Sequence, residues 1–211
     1  MPLYKTISLG PGTTIYIWKV VETEESLAQM VSLTPNSMER IRGMKSEIHR
    51  RAYFSIRHLL MEAGYVDQDL YYDEEGKPHL KDGDFISITH SHMYTGVIVS
   101  DRYQVGIDIE QQREKILRIA HKYTPVGAYR TIGNTETLIR KLTVVWGAKE
   151  SLYKICAKKG LSFLHHIVIT DFALTDSGTT GEIRYHGENS SYDISFLEFD
   201  GFTCVYAFKR S

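Results

Sequence analysis

Two cysteines in 211 residues, Cys156 and Cys204, are too few and too far apart for a disulfide framework or a CxxC zinc knuckle. Only five prolines and sixteen glycines stand against 42% hydrophobic and 24% charged residues, which excludes collagenous and disordered classes. No apolar run approaches the roughly eighteen residues that a membrane-spanning helix needs. Gly10, Pro11, Gly12, Thr13 and Thr14 break up what would be the apolar centre of a signal peptide. Excess charge is missing too: 25 Lys and Arg against 26 Asp and Glu give −1, not the basic balance of a nucleic-acid binder. There is no G-x-S-x-G elbow and no glycine-rich phosphate loop, so α/β-hydrolase and Walker-type chemistry are both set aside. The expectation is a globular, reduced, cytoplasmic protein that meets neither nucleic acid nor membrane.

The balanced total hides a local imbalance. Met38–His58 carries Arg40, Arg42, Lys45, Arg50, Arg51 and Arg57 against Glu39 and Glu47, or +4. Arg113–Val145 carries Arg113, Lys115, Arg118, Lys122, Arg130, Arg140 and Lys141 against Glu114 and Glu136, or +5. With a total of −1, the rest of the chain is left at −10. Such zones suit polyanionic ligands or an acidic partner, and they are equally what two solvated helix faces would show.

Periodicity predicts a strand over Thr14–Val20, a short helix over Glu24–Leu33, and a long helix capped by Ser37 and ended by Gly64. Along it Ile41, Met44, Ile48, Ala52, Ile56, Leu59 and Leu60 keep helical spacing, with the arginines on other faces. Strand-like segments follow at Asp69–Asp73, Phe85–His90, Thr95–Ser100 and Gln104–Ile109. A second long helix is expected from Thr135 to Lys159, closed by Gly160. The tail returns to strands at His166–Leu174, Gly181–Tyr185, Tyr192–Glu198 and Phe202–Phe208. The recurring order of long helix, hairpin and two alternating strands suggests an internal duplication, though any antiparallel sheet alternates in the same way.

In Val105-Gly106-Ile107-Asp108-Ile109-Glu110, alternation puts Asp108 and Glu110 on one face of a strand and the apolar residues on the core side. Two close carboxylates repel unless a cation lies between them. Mg²⁺ is the natural one, and a solvated acidic strand end is the plain alternative. The segment Trp146-Gly147-Ala148-Lys149-Glu150-Ser151-Leu152-Tyr153-Lys154 reads as helix. Lys149 falls within the apolar stripe, so it either snorkels or meets an anion. Glu150 and Lys154 share a face, as surface pairs also do. Gly76-Lys77-Pro78 reads as a tight turn. In Thr89-His90-Ser91-His92, the two histidines lack a third ligand at zinc spacing.

These segments occur in the order and approximate spacing of one family. The chain resembles the 4′-phosphopantetheinyl transferases of the long monomeric, surfactin-synthetase-activating type, from about Ser37 to Phe208. The Gly106-Ile107-Asp108-Ile109-Glu110 and Trp146-x-x-Lys149-Glu150-x-x-x-Lys154 pair is the specific part. The resemblance implies an α+β fold of two pseudo-symmetric halves, 1–104 and 105–211. Each half would be a long helix on a small, mostly antiparallel sheet, with a cofactor cleft between them. It also implies transfer of 4′-phosphopantetheine from coenzyme A to a serine of an apo acyl or peptidyl carrier protein, with Mg²⁺ required and 3′,5′-ADP released. Asp108, Glu110 and Glu150 would hold the metal. Glu150 would accept the serine proton, and Lys149 and Lys154 would neutralise phosphate oxygens. Arg40, Lys45, Arg50, Lys77, Thr89 and His90, with Asp108 and Lys154, would contact coenzyme A. Two fused halves would make a monomer sufficient, and the second basic zone would face the carrier.

The chain departs from the family pattern in two places. Ser87-Ile88-Thr89-His90-Ser91 stands where N-[IV]-S-H-S is common, and Tyr123-Thr124-Pro125-Val126-Gly127 lacks the acid of the usual F-x-x-x-E segment. A non-catalytic carrier- or nucleotide-binding relative, and a phosphohydrolase using water in place of the serine, are the competing readings.

Overall fold

The computed structural model describes residues 3–129 and 131–210; Arg130, counted above in the second basic zone, lies outside them. The backbone divides after Gln104 into two units, Met1–Gln104 and Val105–Ser211. The molecule is α+β, with antiparallel sheets and a long helix packed on sheet.

The first unit runs β1 (Leu3–Ser8), β2 (Thr13–Lys19), α1 (Glu24–Ala28), α2 (Pro35–Gly43), α3 (Glu47–Glu62), β3 (Leu70–Tyr72), β4 (Pro78–Leu80), β5 (Phe85–Ser91) and β6 (Tyr94–Ser100). Its four-stranded antiparallel sheet has the order β1-β2-β6-β5, and β3 and β4 form a separate hairpin. Helix α3 lies on β2 and β6, burying Phe54, Leu59 and Leu60 against Trp18, Val97 and Val99. Full burial of one such side chain contributes about 1.5–3 kcal/mol.

The single helix expected from Ser37 to Ala63 is two. Thr34 caps the first, its side chain accepting from Ser37 N, and Pro35 occupies the first turn, where a missing N–H costs nothing. Met44 and Ser46 then turn extended, at ψ 113° and 122°, and α3 starts anew. The apolar series that seemed continuous is therefore interrupted, and Ile48 is 55% exposed. Nor do all the arginines avoid the interior. Arg57 is buried, its Nε donating to Asp67 Oδ1 at 2.8 Å and its guanidinium resting on the Tyr53 ring. Burial alone would raise the Asp67 carboxyl, but donors from Thr34 N, Ser37 Oγ and Arg57 hold it below the usual range.

The second unit runs β7 (Val105–Gln111), α4 (Lys115–Ile119), α5 (Thr135–Cys156), β8 (Ile167–Ile169), β9 (Gly178–Tyr185), β10 (Glu188–Phe199) and β11 (Phe202–Lys209). The sheet order is β7-β11-β10-β9-β8, antiparallel throughout. Asp200 and Gly201, at φ 48° and 75°, make the tight hairpin between β10 and β11, the left-handed pair that matches strand twist. Asn134 caps α5 through Thr137 N. The helix ends at a left-handed Ala157 whose N–H bonds Tyr153 O, three residues before the expected stop at Gly160.

Helix α5 packs across β7 and β11, over Val205 and Ala207. Those residues pair with Asp108 and Gly106, so the acidic face of β7 is the one beneath the helix. Val105, Ile107 and Ile109 are buried as expected, but on the face turned away from α5. The aberrant 123–127 segment is anchored from the helix side: Tyr123 is buried, donates its hydroxyl to Leu142 O at 3.2 Å and sets its ring against Trp146.

Candidate active site

Strand periodicity and one helical turn bring four charged side chains of the second unit together. Asp108 is buried beneath α5, and its Oδ1 accepts from Lys154 Nζ at 2.9 Å. The same ammonium donates to Ile107 O at 2.7 Å, which fixes it over the middle of β7. Glu110, two residues along the strand, accepts from Trp146 Nε1 at 3.3 Å. Trp146 thus packs its ring against Tyr123 and donates its indole N–H to an acid.

Glu150 completes the group from α5. Burial and then the charge of Asp108 push its carboxyl up to about 7; Lys154 opposes this and Glu110 adds to it. Glu110 is raised for the same first two reasons, with Trp146, Arg113 and Lys154 lowering it. Both shifts arise first from burial, which disfavours the charged form, and then from the neighbouring Asp108 carboxylate.

Glu110 and Glu150 are half-buried beside the buried Asp108, and carboxylate oxygens are the donors that a hard divalent cation prefers. In kind and in charge the residues fit such an ion. Among the described residues no three His, Cys, Asp or Glu side chains are already gathered as a metal-holding group.

Lys149 goes elsewhere. One residue from Glu150 is about a hundred degrees around a helix, and its ammonium, almost fully buried, donates to Phe163 O at 2.6 Å and Ile167 O at 2.5 Å. Desolvation pulls its pKa down to about 8. It fastens the 163–167 segment to α5. Phe163 in turn lays its ring against Trp146 and Tyr153, at 5.5 Å in each case.

In the first unit the anion-contact candidates are scattered in character. Thr89 is buried and His90 exposed at the end of β5, the His90 ring edge-on to His49 at 5.8 Å. Arg50 directs Nε to both oxygens of Glu24 at 2.9 Å and Nη1 to Met44 O, tying α3 to α1. Arg40 stacks over Tyr72 at 4.8 Å. Lys45 is exposed in the break between α2 and α3. Lys77 sits in a turn organised by Asp73, whose Oδ1 accepts from Lys77 N at 2.8 Å while Gly76 takes φ 83°.

Residues 104–207 match the family model of the 4′-phosphopantetheinyl transferase superfamily. This stretch is a domain of that superfamily. It contains the whole acidic group, on β7 and α5. No curated protein matches the chain. Three side-chain pairings in this domain were not visible in the sequence. The buried Ser151 donates from Oγ to Val205 O at 3.1 Å. Gln112 donates to Glu198 Oε1 at 2.5 Å and Thr203 Oγ1 at 3.0 Å, next to the Glu110–Thr203 pair. Arg140 forks onto Glu198. None of these pairings has a local sequence signal, because each joins residues 50 or more apart.

Proposed function

We propose that the chain transfers 4′-phosphopantetheine from coenzyme A to a serine of an apo acyl or peptidyl carrier protein, as a holo-carrier synthase of the long monomeric type. The observation that carries this reading is the acidic group under α5, in which burial, then the charge of Asp108 and in small part that of Glu110, raise Glu150 of the helix to about 7. In that reading Asp108, Glu110 and Glu150 hold Mg²⁺, which when bound offsets the charge of the pyrophosphate. The serine oxygen attacks the phosphorus bearing pantetheine. A new O–P bond forms, the bridging P–O bond breaks, and 3′,5′-ADP departs with the electron pair. Glu150 accepts the serine proton through a water, and Glu110, raised likewise, is the alternate acceptor.

Lys154 remains the cation beside the acids and would face the developing phosphate charge. Lys149 is assigned to holding the 163–167 segment rather than to the phosphates, because its donors already meet two carbonyls. In the first unit, Thr89, His90, Lys45, Lys77 and Arg40 are the residues proposed to receive the nucleotide's phosphates and base. Arg50 contributes only by exchanging Glu24 for an anion. Carrier docking falls to Arg113, Lys115, Arg118 and Lys122, which are exposed. Arg140 and Lys141 are already engaged with Glu198 and Asp171. A monomer in the cytoplasm suffices for this chemistry; no helix among the described residues is long and apolar enough to cross a membrane.

The test is to incubate the protein with coenzyme A, Mg²⁺ and a panel of apo carriers and to weigh the carriers by mass spectrometry. A mass increase of one phosphopantetheine with release of 3′,5′-ADP is expected. Release of 3′,5′-ADP without any carrier would make it a hydrolase, and no modification of any carrier would make it a binding protein.

A further inference from the structure

Two glycines stand where α5 meets β7, and neither has a positive φ to explain it. A Cβ added at Gly147 would lie 2.8 Å from Val205 Cγ2, 3.3 Å from Val205 Cβ and 3.6 Å from Asp108 Oδ2. A Cβ at Gly106 would lie 2.0 Å from Ser151 O, on the opposing backbone. Val205 is fully buried and β-branched, so its methyl has little freedom to turn aside. Ser151 locks the same contact from the helix side through Oγ to Val205 O at 3.1 Å. Helix and sheet thus approach through two glycines, Gly106 of β7 beneath Ser151 and Gly147 of α5 against Val205 of β11. A mid-helix glycine weakens a helix relative to alanine, so a packing reason has to offset it.

That reason lies three residues on. Gly147 and Glu150 are neighbours on one helix surface, and Asp108 is the strand side chain that a Cβ at 147 would approach. Lifting α5 at residue 147 therefore carries Glu150 away from Asp108. We infer that Gly147 is a positioning residue: its missing side chain seats α5 on Val205 of β11, and through the Val205–Asp108 pairing sets the separation from β7 at which Glu150 and Asp108 share one divalent cation. The inference rests on the cation reading of these acids given above, and it makes Val205 the specific atom group against which the spacing is set.

The experiment measures Mn²⁺ binding by electron paramagnetic resonance of the free ion, without coenzyme A or carrier, on four proteins: wild type, Gly147→Ala, Val205→Ala and the double variant. Supporting-shell changes typically weaken metal binding by about 10–100-fold. A loss in that range is expected for Gly147→Ala. Wild-type affinity is expected for Val205→Ala, and recovery to within about threefold for the double variant, whose new methyl has the vacated space to enter. The Mg²⁺ concentration for half-maximal transfer should follow the same order, while the KM for carrier stays put. Wild-type Mn²⁺ affinity in Gly147→Ala, or a folded double variant still as weak as Gly147→Ala, overturns the inference. Should Gly147→Ala alone fail to fold, the double variant decides: affinity near wild type supports the inference, and a loss of about tenfold or more overturns it. Absence of Mn²⁺ binding by the wild type would strike the cation reading itself, a different failure.

Discussion

Replacing Glu150 by Gln should stabilise the metal-free protein while abolishing its response to divalent cations. The carboxyl rises from 4.5 to about 7 on folding, which at about 1.4 kcal/mol per unit is at most about 3.5 kcal/mol. Glu150 keeps part of its surface in water, so screening reduces the figure to about 1–2 kcal/mol. The sign follows from proton binding. The folded state holds the Glu150 proton more tightly than the unfolded chain, so this group's contribution to stability is complete below about 4.5 and lost as pH rises through about 7. Above pH 7 the native protein therefore carries a half-buried carboxylate beside Asp108, and Glu150→Gln removes its charge without changing shape. Thermal unfolding at pH 8 with a chelator should show the variant melting about 2–8 °C higher, at about 2–4 °C per kcal/mol for a chain of this size. At pH 4.5 the difference should vanish. Saturating Mg²⁺ should raise the wild-type midpoint, by about 2.7 kcal/mol at a hundred times Kd, and leave the variant unmoved. A variant that melts lower than wild type by the same amount at both pH values would refute the reasoning, because the carboxyl would then be structural.

Asp108→Asn keeps an acceptor for Lys154 and should retain the fold by circular dichroism, yet lose at least about a hundredfold in carrier modification measured by mass spectrometry, since outer and inner metal contacts each cost that order. Lys149→Met leaves the Phe163 and Ile167 carbonyls without their donor and should cost about 1–3 kcal/mol in urea unfolding. The KM for coenzyme A should change little; a large rise there would return Lys149 to the phosphates. The wild type should also gain stability as pH rises from about 8, where folded Lys149 gives up its proton, to 10.5, where the unfolded one does. Lys149→Met should lack that gain. Arg57→Ala leaves Asp67 charged and buried, and should lower the stability of the first unit by about 3–5 kcal/mol in denaturant unfolding, a loss that Asp67→Asn added to it partly recovers.

Much of the site was legible in the chain because it follows local periods. A two-residue period puts Asp108 and Glu110 on one face, and a four-residue step puts Glu150 and Lys154 on another, whatever the rest of the molecule does. Helix breaks were less legible. The apolar series from Ile41 to Leu60 hides the turn at Met44–Ser46, since an exposed Ile48 looks the same as a buried one in a spacing pattern. Arg50 read as a coenzyme A contact and Arg57 as one more cation of the basic zone; the positions of Glu24 and Asp67, 26 and ten residues away, tied the first to α1 and turned the second inward.

The order of motifs and the alternation of strands determine that this is an α+β chain with acids on one strand and one helix. They do so because side-chain direction in a strand or helix is a matter of counting residues. Which acid meets which, and which lysine serves them, was decided by how α5 is rotated and pressed onto β7. Lys154 reaches Asp108, and Lys149 is turned toward the 163–167 carbonyls. That rotation depends on volumes meeting across the sheet, Gly106 beneath Ser151 and Gly147 beside Val205, and close packing between distant segments leaves no period in a sequence.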